Sequence, residues 1–362
     1  MTLSLRLRAL ELSLRDPFRI ARVTHGEGRL ITTVVAELRD EADGPDGPAG
    51  LGEGYPDSYY GDTPETMSAV APLLLGALAP IEADLRGSLD DVRAALEDAE
   101  GLMTAAIGHH GAIKCAIDIA LHDLACKRLG LPVRELVGLP GELPPTDFTL
   151  GIDAPAVVAE RAVRAADFPA LKIKVGGPSD VETLEAVRAV FAGPIRVDAN
   201  TGWTPEGALK LLPDLVRLGV ELIEQPFPAR RLDQLRWLQE RSELPIVADE
   251  SAVTIEDLDA LVGVTAGVNV KLAKCGGMGP ARRMLDRARE LGFRTFLGCM
   301  EETSIGIAAS AAVSPLVDWV DLDGCLLLAD DPVSGLEIGP DKRWRLTGRP
   351  GLGLELRADA RP

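Results

Sequence analysis

The chain has 362 residues, with 56 Asp and Glu against 38 Lys and Arg, a formal charge of −18. That balance argues against nucleic acid or an anionic membrane as a partner. It leaves the charge of a substrate open, because a pocket can differ in sign from the surface around it. Hydrophobic residues make up 46% of the chain, enough for a barrel of roughly 200–250 residues and a smaller unit of about 100. The five cysteines, Cys115, Cys126, Cys275, Cys299 and Cys325, are scattered and form no CxxC pair. They argue against a disulfide framework or a thiolate metal site and favour a reducing cytoplasm. No apolar run approaches the ~18 residues of a membrane span. The opening residues alternate charged and apolar as a strand does, not as a signal peptide does.

Residues 3–14 form that first strand. Its apolar phase switches from odd positions (Leu3, Leu5, Leu7, Ala9) to even ones (Leu10, Leu12, Leu14), which predicts a β-bulge near Ala9–Leu10. The irregular stretch 16–28 leads to a second strand at 29–39. DEADGPDGPAG (40–50) then turns the chain into a third strand around 51–54. All three tyrosines, Tyr55, Tyr59 and Tyr60, fall in the next loop. This loop and 16–28 are candidates for a lid, and equally for plain exposed hairpin loops. Helical patterns follow at about 64–80, 88–99 and 110–129, the last opened by His109 and His110. Strands then alternate with helices at 146–152, 170–175, 194–198, 221–225, 245–249, 267–272, 294–298 and 317–322. Such alternation means an α/β fold with a parallel sheet, and eight strands favour closure into a barrel. The tail 333–362 is expected to pack back on the N-terminal unit. The division expected is 1–130 plus that tail as one unit and 131–332 as the barrel.

Polar residues recur along the barrel segment every 22 to 26 residues: Lys174, Asp198, Glu224, Asp249 and Lys271. That stride is one strand plus one helix, so each falls at a strand C-terminus, where barrels build active sites. Asp198, Glu224 and Asp249 offer only oxygen, which selects Mg2+ or Mn2+ over zinc. One such acid alone would read as a helix cap; three in register favour a metal site. Bound there, the metal would act as a Lewis acid for an enediolate formed beside a substrate carboxylate.

Lys172 and Lys174 share one strand face and point into the barrel. Salt bridging to the acids is the plain role for them. A neighbouring cation and a metal would also lower a lysine's pKa and make it a usable base. Lys271 lies on the sixth strand, across the barrel from the second. Two bases on opposite faces of one carbon can invert a stereocentre. Lys274 is the competing choice for the second base, but it falls past the strand, where a solvated lysine is the default. Asp321 and Asp323 share a face of the last strand. Their partner is either a substrate ammonium or a barrel cation such as Lys271.

Cys299, Met300 and Glu301 follow the seventh strand and are expected at the pocket. Glu250 would support Asp249 from behind. Trp203 is expected to pack over the barrel mouth, the glycines around Gly276 to form a tight turn, and His25 to be exposed. The four histidines show no ligand spacing.

The ordered set KxK, DxN, EQP, DES, NxKLxKxGG and a last-strand DxD resembles the enolase superfamily, muconate-lactonizing-enzyme subgroup. The resemblance covers nearly the whole chain, including the DPF segment, the helix at 112–138 and PGLG near the C-terminus. Within the subgroup the chain is most similar to dipeptide epimerases. The resemblance implies a (β/α)7β modified TIM barrel with an N-terminal α+β capping domain completed by the C-terminal tail. It implies Lys174 and Lys271 as the two bases, Lys172 as helper beside the substrate carboxylate, and Asp198, Glu224 and Asp249 as ligands of Mg2+. Lysine bases paired with Mg2+ are a known feature of enolase-superfamily sites. Asp321 and Asp323 would hold the dipeptide's α-ammonium.

Muconate cycloisomerases, o-succinylbenzoate synthases and N-succinylamino acid racemases are similar but are not expected to gain from that DxD. Epimerases acting on L-Ala-D/L-Glu carry an arginine after the PF segment. Val23 takes that position here, with Arg22 one residue early and Arg19 four. The expected function is Mg2+-dependent epimerisation of dipeptides by 1,1-proton transfer, with Arg22, Val23, Tyr55 and Met300 beside the substrate. The alternatives are the other subgroup reactions and a non-catalytic carboxylate-binding barrel. A homo-oligomer is compatible with the resemblance, and no sequence feature specifies its symmetry.

Overall fold

The computed structural model describes residues 2–22, 30–139 and 141–362. Strands β1 (Leu3–Ser13), β2 (Leu30–Asp40) and β3 (Ala49–Gly54) form an antiparallel sheet in that order. Helices α1 (Pro64–Ala77), α2 (Leu89–Ala106) and α3 (Gly111–Leu129) follow. Gly50, Gly52 and Gly54 alternate along β3 because the sheet lies directly on α3. A Cβ at each would sit 2.0, 1.9 and 2.1 Å from the carbonyl oxygens of Ala120, Ala116 and Ala112.

The expected bulge at Ala9–Leu10 is absent. β1 pairs with β2 from Leu3↔Asp40 to Ser13↔Leu30 without a shift in register. The apolar phase still switches, because different layers cover the two faces of the sheet. Leu3, Leu5 and Leu7 pair with Asp40, Leu38 and Ala36 on the face that meets α3. Leu10 pairs with Thr33 on the opposite face, which looks toward the barrel. Helix α2 also outruns the expected end at 99. Gly101 does not break it, because Met103 continues the buried stripe of Val92, Leu96 and Ala99.

Helix α4 (Val133–Val137) leads into eight parallel strands. These are β4 (Phe148–Leu150), β5 (Leu171–Lys174), β6 (Ile195–Asp198), β7 (Val220–Glu224), β8 (Ile246–Ala248), β9 (Gly267–Val270), β10 (Arg294–Gly298) and β11 (Trp319–Asp321). They neighbour one another in chain order, and Asp147 N donates to Val320 O at 3.1 Å to bring the first strand to the last. The sheet is thus a nearly closed barrel. Outside it run α5 (Pro155–Arg164), α6 (Asp180–Arg188), α7 (Pro205–Arg217), α8 (Leu232–Gln239) and α9 (Leu258–Leu261). After β9 come α10 (Leu272–Cys275) and α11 (Met278–Glu290), then α12 (Ser304–Val313) and α13 (Gly324–Leu327). Leu222, Val247, Phe296 and Trp319 form a separate apolar cluster of inward-facing strand residues. The barrel is therefore a filled core and not a pore. Among the described residues, no helix is long and apolar enough to cross a membrane.

The tail makes two short pairings, β12 (Val333–Ser334) with β15 (Glu355–Leu356) and β13 (Glu337–Ile338) with β14 (Trp344–Arg345). It returns to α3, where Leu352 N donates to Asp123 Oδ1 at 2.7 Å.

A buried carboxylate helps tie the sheet to the barrel. Glu53 on β3 accepts from Thr33 Oγ1 (2.7 Å), Thr303 N (2.9 Å), Thr303 Oγ1 (2.6 Å) and Gly306 N (2.9 Å). It sits at the N-terminus of α12, where the free N–H groups favour an anion. Glu53→Ala should cost about 1–3 kcal/mol for each donor left bare. Urea unfolding is expected to show a clear drop in midpoint, and an unchanged midpoint would mean the contact carries no stability.

Candidate active site

Three parallel neighbours align their polar ends. Lys174, Asp198 and Glu224 lie side by side in the ladders of β5, β6 and β7. Asp249 and Lys271 directly follow β8 and β9, and Asp321 ends β11. Period two brings Lys172 inside below Lys174. All these groups are buried, and most line a cavity of about 640 Å³ at the strand C-termini.

Asp198, Glu224 and Asp249 each present an oxygen within 4.8 Å of the others. Asn200 N donates to Asp198 Oδ1 (2.9 Å), and Asn269 Nδ2 donates to Glu224 Oε1 (2.9 Å). Burial and the charges of Asp198 and Asp249 push the Glu224 carboxyl up to about 8, even with Lys172 and Lys271 nearby. The site as it stands therefore disfavours the charge on this carboxylate. A hard divalent cation fits it, because all three donors are oxygen. Burial also pushes Asp198 up, but Lys174 and Lys172 outweigh it and hold the carboxyl at about 2.

Lys172 Nζ lies 3.3 Å from Asp198 Oδ2, 2.9 Å from Glu224 Oε2 and 2.8 Å from Asp321 Oδ2. Lys174 Nζ lies 2.7 Å from Asp198 Oδ2, and Lys271 Nζ 2.9 Å from Asp249 Oδ2. β5 and β9 stand four strands apart in the ring of eight, so Lys174 and Lys271 come from opposite walls. The acids around Lys172 and Lys271 work against the expected lowering of lysine pKa. Burial does oppose the ammonium, but the surrounding carboxylates prevail and raise both Lys172 and Lys271 above the ordinary lysine value.

Lys274 corrects another expectation, since it is sealed inside and not solvated. Its Nζ donates to Asp249 Oδ1 at 2.5 Å. One turn of α10 begun at Lys271 carries the side chain three residues later back toward the barrel axis. The tight turn at Gly276 and Gly277 (φ 105° and 129°) then redirects the chain. A Cβ on Gly277 would lie 2.3 Å from Asp118 Oδ2. That oxygen accepts from Met278 N at 2.6 Å, so an acid from α3 already caps α11.

Asp321 and Asp323 both reach the cavity, but Asp323 lies past the end of β11, as the residue that starts α13. Asp321 pairs with Lys172, not with Lys271. Its Oδ1 accepts from Thr149 Oγ1 (2.9 Å), while Asp323 Oδ2 accepts from Thr149 N (2.6 Å). Among the described residues no Lys or Arg forms a salt bridge with Asp323. Burial and the Asp321 charge push its carboxyl well above the usual range. Asp147 behind it is raised in the same way, by burial and by Asp321, while pairing with Arg196 at 2.8 Å.

The other walls come from the N-terminal loops. Tyr55, Tyr59 and Tyr60 all line the cavity, as do Phe18, Ile20 and Arg22. Arg22 is paired with the buried Glu250, and its guanidinium carbon lies 4.0 Å from the Tyr59 ring centre. Burial and the charges of Asp249 and Asp198 push Glu250 up to about 7 against the pull of Arg22. Arg19 turns to Asp153 (3.6 Å). Val23 and His25 lie outside the described residues. Cys299, Met300 and Glu301 also line the cavity, and Glu301 lies beside the Tyr55 hydroxyl. Trp203 packs against the barrel mouth with Nε1 on Asp180 (3.1 Å).

Sequence reasoning passed over Thr149 and Asp147, and it took in Asn200 and Asn269 only as letters of the DxN and NxK motifs, with no role given to them. Asn200 and Asn269 sit two residues from Asp198 and Lys271, and the period of a strand could have found them. Thr149 and Asp147 carry no such mark.

An oxygen-rich acid cluster thus lies between two buried lysines at the mouth of a barrel. Residues 3–138 match the mandelate racemase / muconate lactonizing enzyme N-terminal domain family, and residues 156–360 match the enolase C-terminal domain-like family. The chain belongs to the enolase superfamily. It is 38% identical over 349 residues to an L-Ala-D/L-Glu epimerase of Bacteroides thetaiotaomicron, covering 95% of this chain and 85% of the relative. It is 37% identical over 368 residues to an L-Lys-D/L-Arg epimerase of Methylococcus capsulatus, covering 97% and 98%. A dipeptide epimerase of Enterococcus faecalis, solved with Mg and L-Leu-L-Tyr, superposes with a TM-score of 0.83 at 30% identity, covering 98% and 99%. These relatives are epimerases, and the chain is an enzyme of that isomerase class.

Proposed function

We propose that the protein is a Mg2+-dependent dipeptide epimerase that moves the α-proton of the C-terminal residue between Lys174 and Lys271. The observation that carries this reading is the pair of lysines on opposite walls of one acid cluster. One lysine, as the free amine, takes the proton from one face. The other, as the ammonium, returns one to the opposite face, and the α-carbon inverts. Asp198, Glu224 and Asp249 would hold the Mg2+, which when bound offsets the negative charge that grows on the substrate carboxylate as the α-proton leaves. Lys172, locked among three acids, keeps a fixed positive charge beside that carboxylate. Residues 1–130 with 333–362 would form the cap and 131–332 the barrel. The five unpaired cysteines suit a cytoplasmic protein.

Asp323 supports the dipeptide. It is a buried acid at the cavity that forms no salt bridge with a Lys or Arg among the described residues, so an α-ammonium suits it. Asp323→Asn should lower kcat/KM for dipeptides by the roughly 1.5–3 kcal/mol of a hydrogen bond to a charged group. Turnover of N-succinylamino acids, which lack the ammonium, should be unaffected. Equal dipeptide turnover by the variant would move the assignment to those rival reactions. For the second side chain, Arg22, the arginine among the described residues at that wall, is already paired with Glu250. We infer a preference for uncharged over acidic residues there.

A further inference from the structure

Lys274 has no part in the proton transfer, yet it is among the most completely buried charges in the chain. Its side chain is 0% exposed, and it is not among the residues that line the cavity. An ammonium without water must be fully paired. Four oxygens meet this one: Asp249 Oδ1 (2.5 Å), Asp249 O (2.6 Å), Asn269 O (2.9 Å) and Ala252 O (3.0 Å). These acceptors belong to the chain just after β8 and to β9. The two oxygens of Asp249 are thereby divided, with Oδ1 held from behind by Lys274 and Oδ2 facing Lys271 on the cavity side. A carboxylate gripped by its rear oxygen and by its own backbone carbonyl cannot rotate away from Asp198 and Glu224.

We propose that Lys274 is a positioning residue for the acid cluster: its buried ammonium fixes the orientation of Asp249 and so sets the affinity of the cluster for a divalent cation. This rests on the metal-binding part of the proposed function and not on the identity of the substrate. It also makes a prediction of unusual sign. A positive charge near a cation repels it, so removing Lys274 should tighten metal binding if charge alone mattered. Positioning predicts the reverse, because loss of an outer partner of a metal ligand typically weakens affinity about 10–100-fold.

The test is titration of the full-length protein with Mn2+, with free ion read by electron paramagnetic resonance, for wild type, Lys274→Met and Lys274→Gln. Near-UV circular dichroism establishes that each variant is folded. The expected result is a dissociation constant raised at least 10-fold in Lys274→Met, with Lys271→Met unchanged or tighter. If Lys274→Met does not fold, Lys274→Gln, which keeps hydrogen-bond donors for the carbonyls, carries the test with the same expected direction. An unchanged or lower dissociation constant in a folded Lys274 variant overturns the proposal. A wild-type protein that takes up no Mn2+ would instead refute the metal site itself, a separate outcome.

Discussion

Replacing Lys271 or Lys174 by methionine is expected to abolish epimerisation, with a fall of about 10²–10⁴-fold, the usual contribution of a positioned acid or base. The two variants should fail equally, because inversion needs both faces of the α-carbon. Neither loss should unfold the protein. In Lys271→Met the Asp249 carboxylate keeps Lys274, and in Lys174→Met the Asp198 carboxylate keeps Lys172 at 3.3 Å. Polarimetry on a dipeptide and Mn2+ uptake should therefore separate, with activity gone and metal binding kept. A variant that retains a tenth or more of the wild-type rate would show that its lysine is not a base. Lys172→Met should behave differently, since its ammonium touches three acids at once.

The second large effect belongs to the acid cluster. Glu224→Gln should weaken metal binding by more than the roughly 10–100-fold typical of an outer partner, because it would turn one of the three proposed carboxylate ligands into a neutral amide. Its effect on stability should have the opposite sign. Burial and two neighbouring acids already push the Glu224 carboxyl up to about 8, so the metal-free fold resists its negative charge. The metal-free variant should be as stable as wild type or more so. Wild type should gain about 2.7 kcal/mol at a hundredfold excess of Mg2+ over its dissociation constant, and the variant should gain little. Thermal melts with Mg2+ and with chelator would show this. A Mg2+-dependent shift preserved in Glu224→Gln would remove Glu224 from the ligand set.

The barrel was legible because strands β5 to β9 and β11 each end in or just before a polar residue after an apolar run, and that stride survives any adjustment of the helices between. The acids, Lys172, Lys174 and Lys271 all arrived where strand period and stride place them. The errors came from features that cross between elements. The phase switch in β1 suggested a bulge, because alternation records which face is covered and not by what; helix α3 and the barrel cover opposite faces of one regular strand. Lys274 looked solvated because a linear reading cannot see a single helical turn fold the chain back. The Arg22–Glu250 pair joins residues far apart in sequence, so nothing local announces it. The acids that raise Lys172 and Lys271 act through distances that spacing does not contain.

Dipeptide epimerisation is best tested by incubating a library of L,L-dipeptides in D2O with Mg2+ and reading deuterium by mass spectrometry. The expected result is incorporation of one deuterium at the α-carbon of the second residue, accompanied by inversion, with uncharged second residues ahead of acidic ones. No deuterium in any dipeptide, together with exchange in N-succinylamino acids, would contradict it.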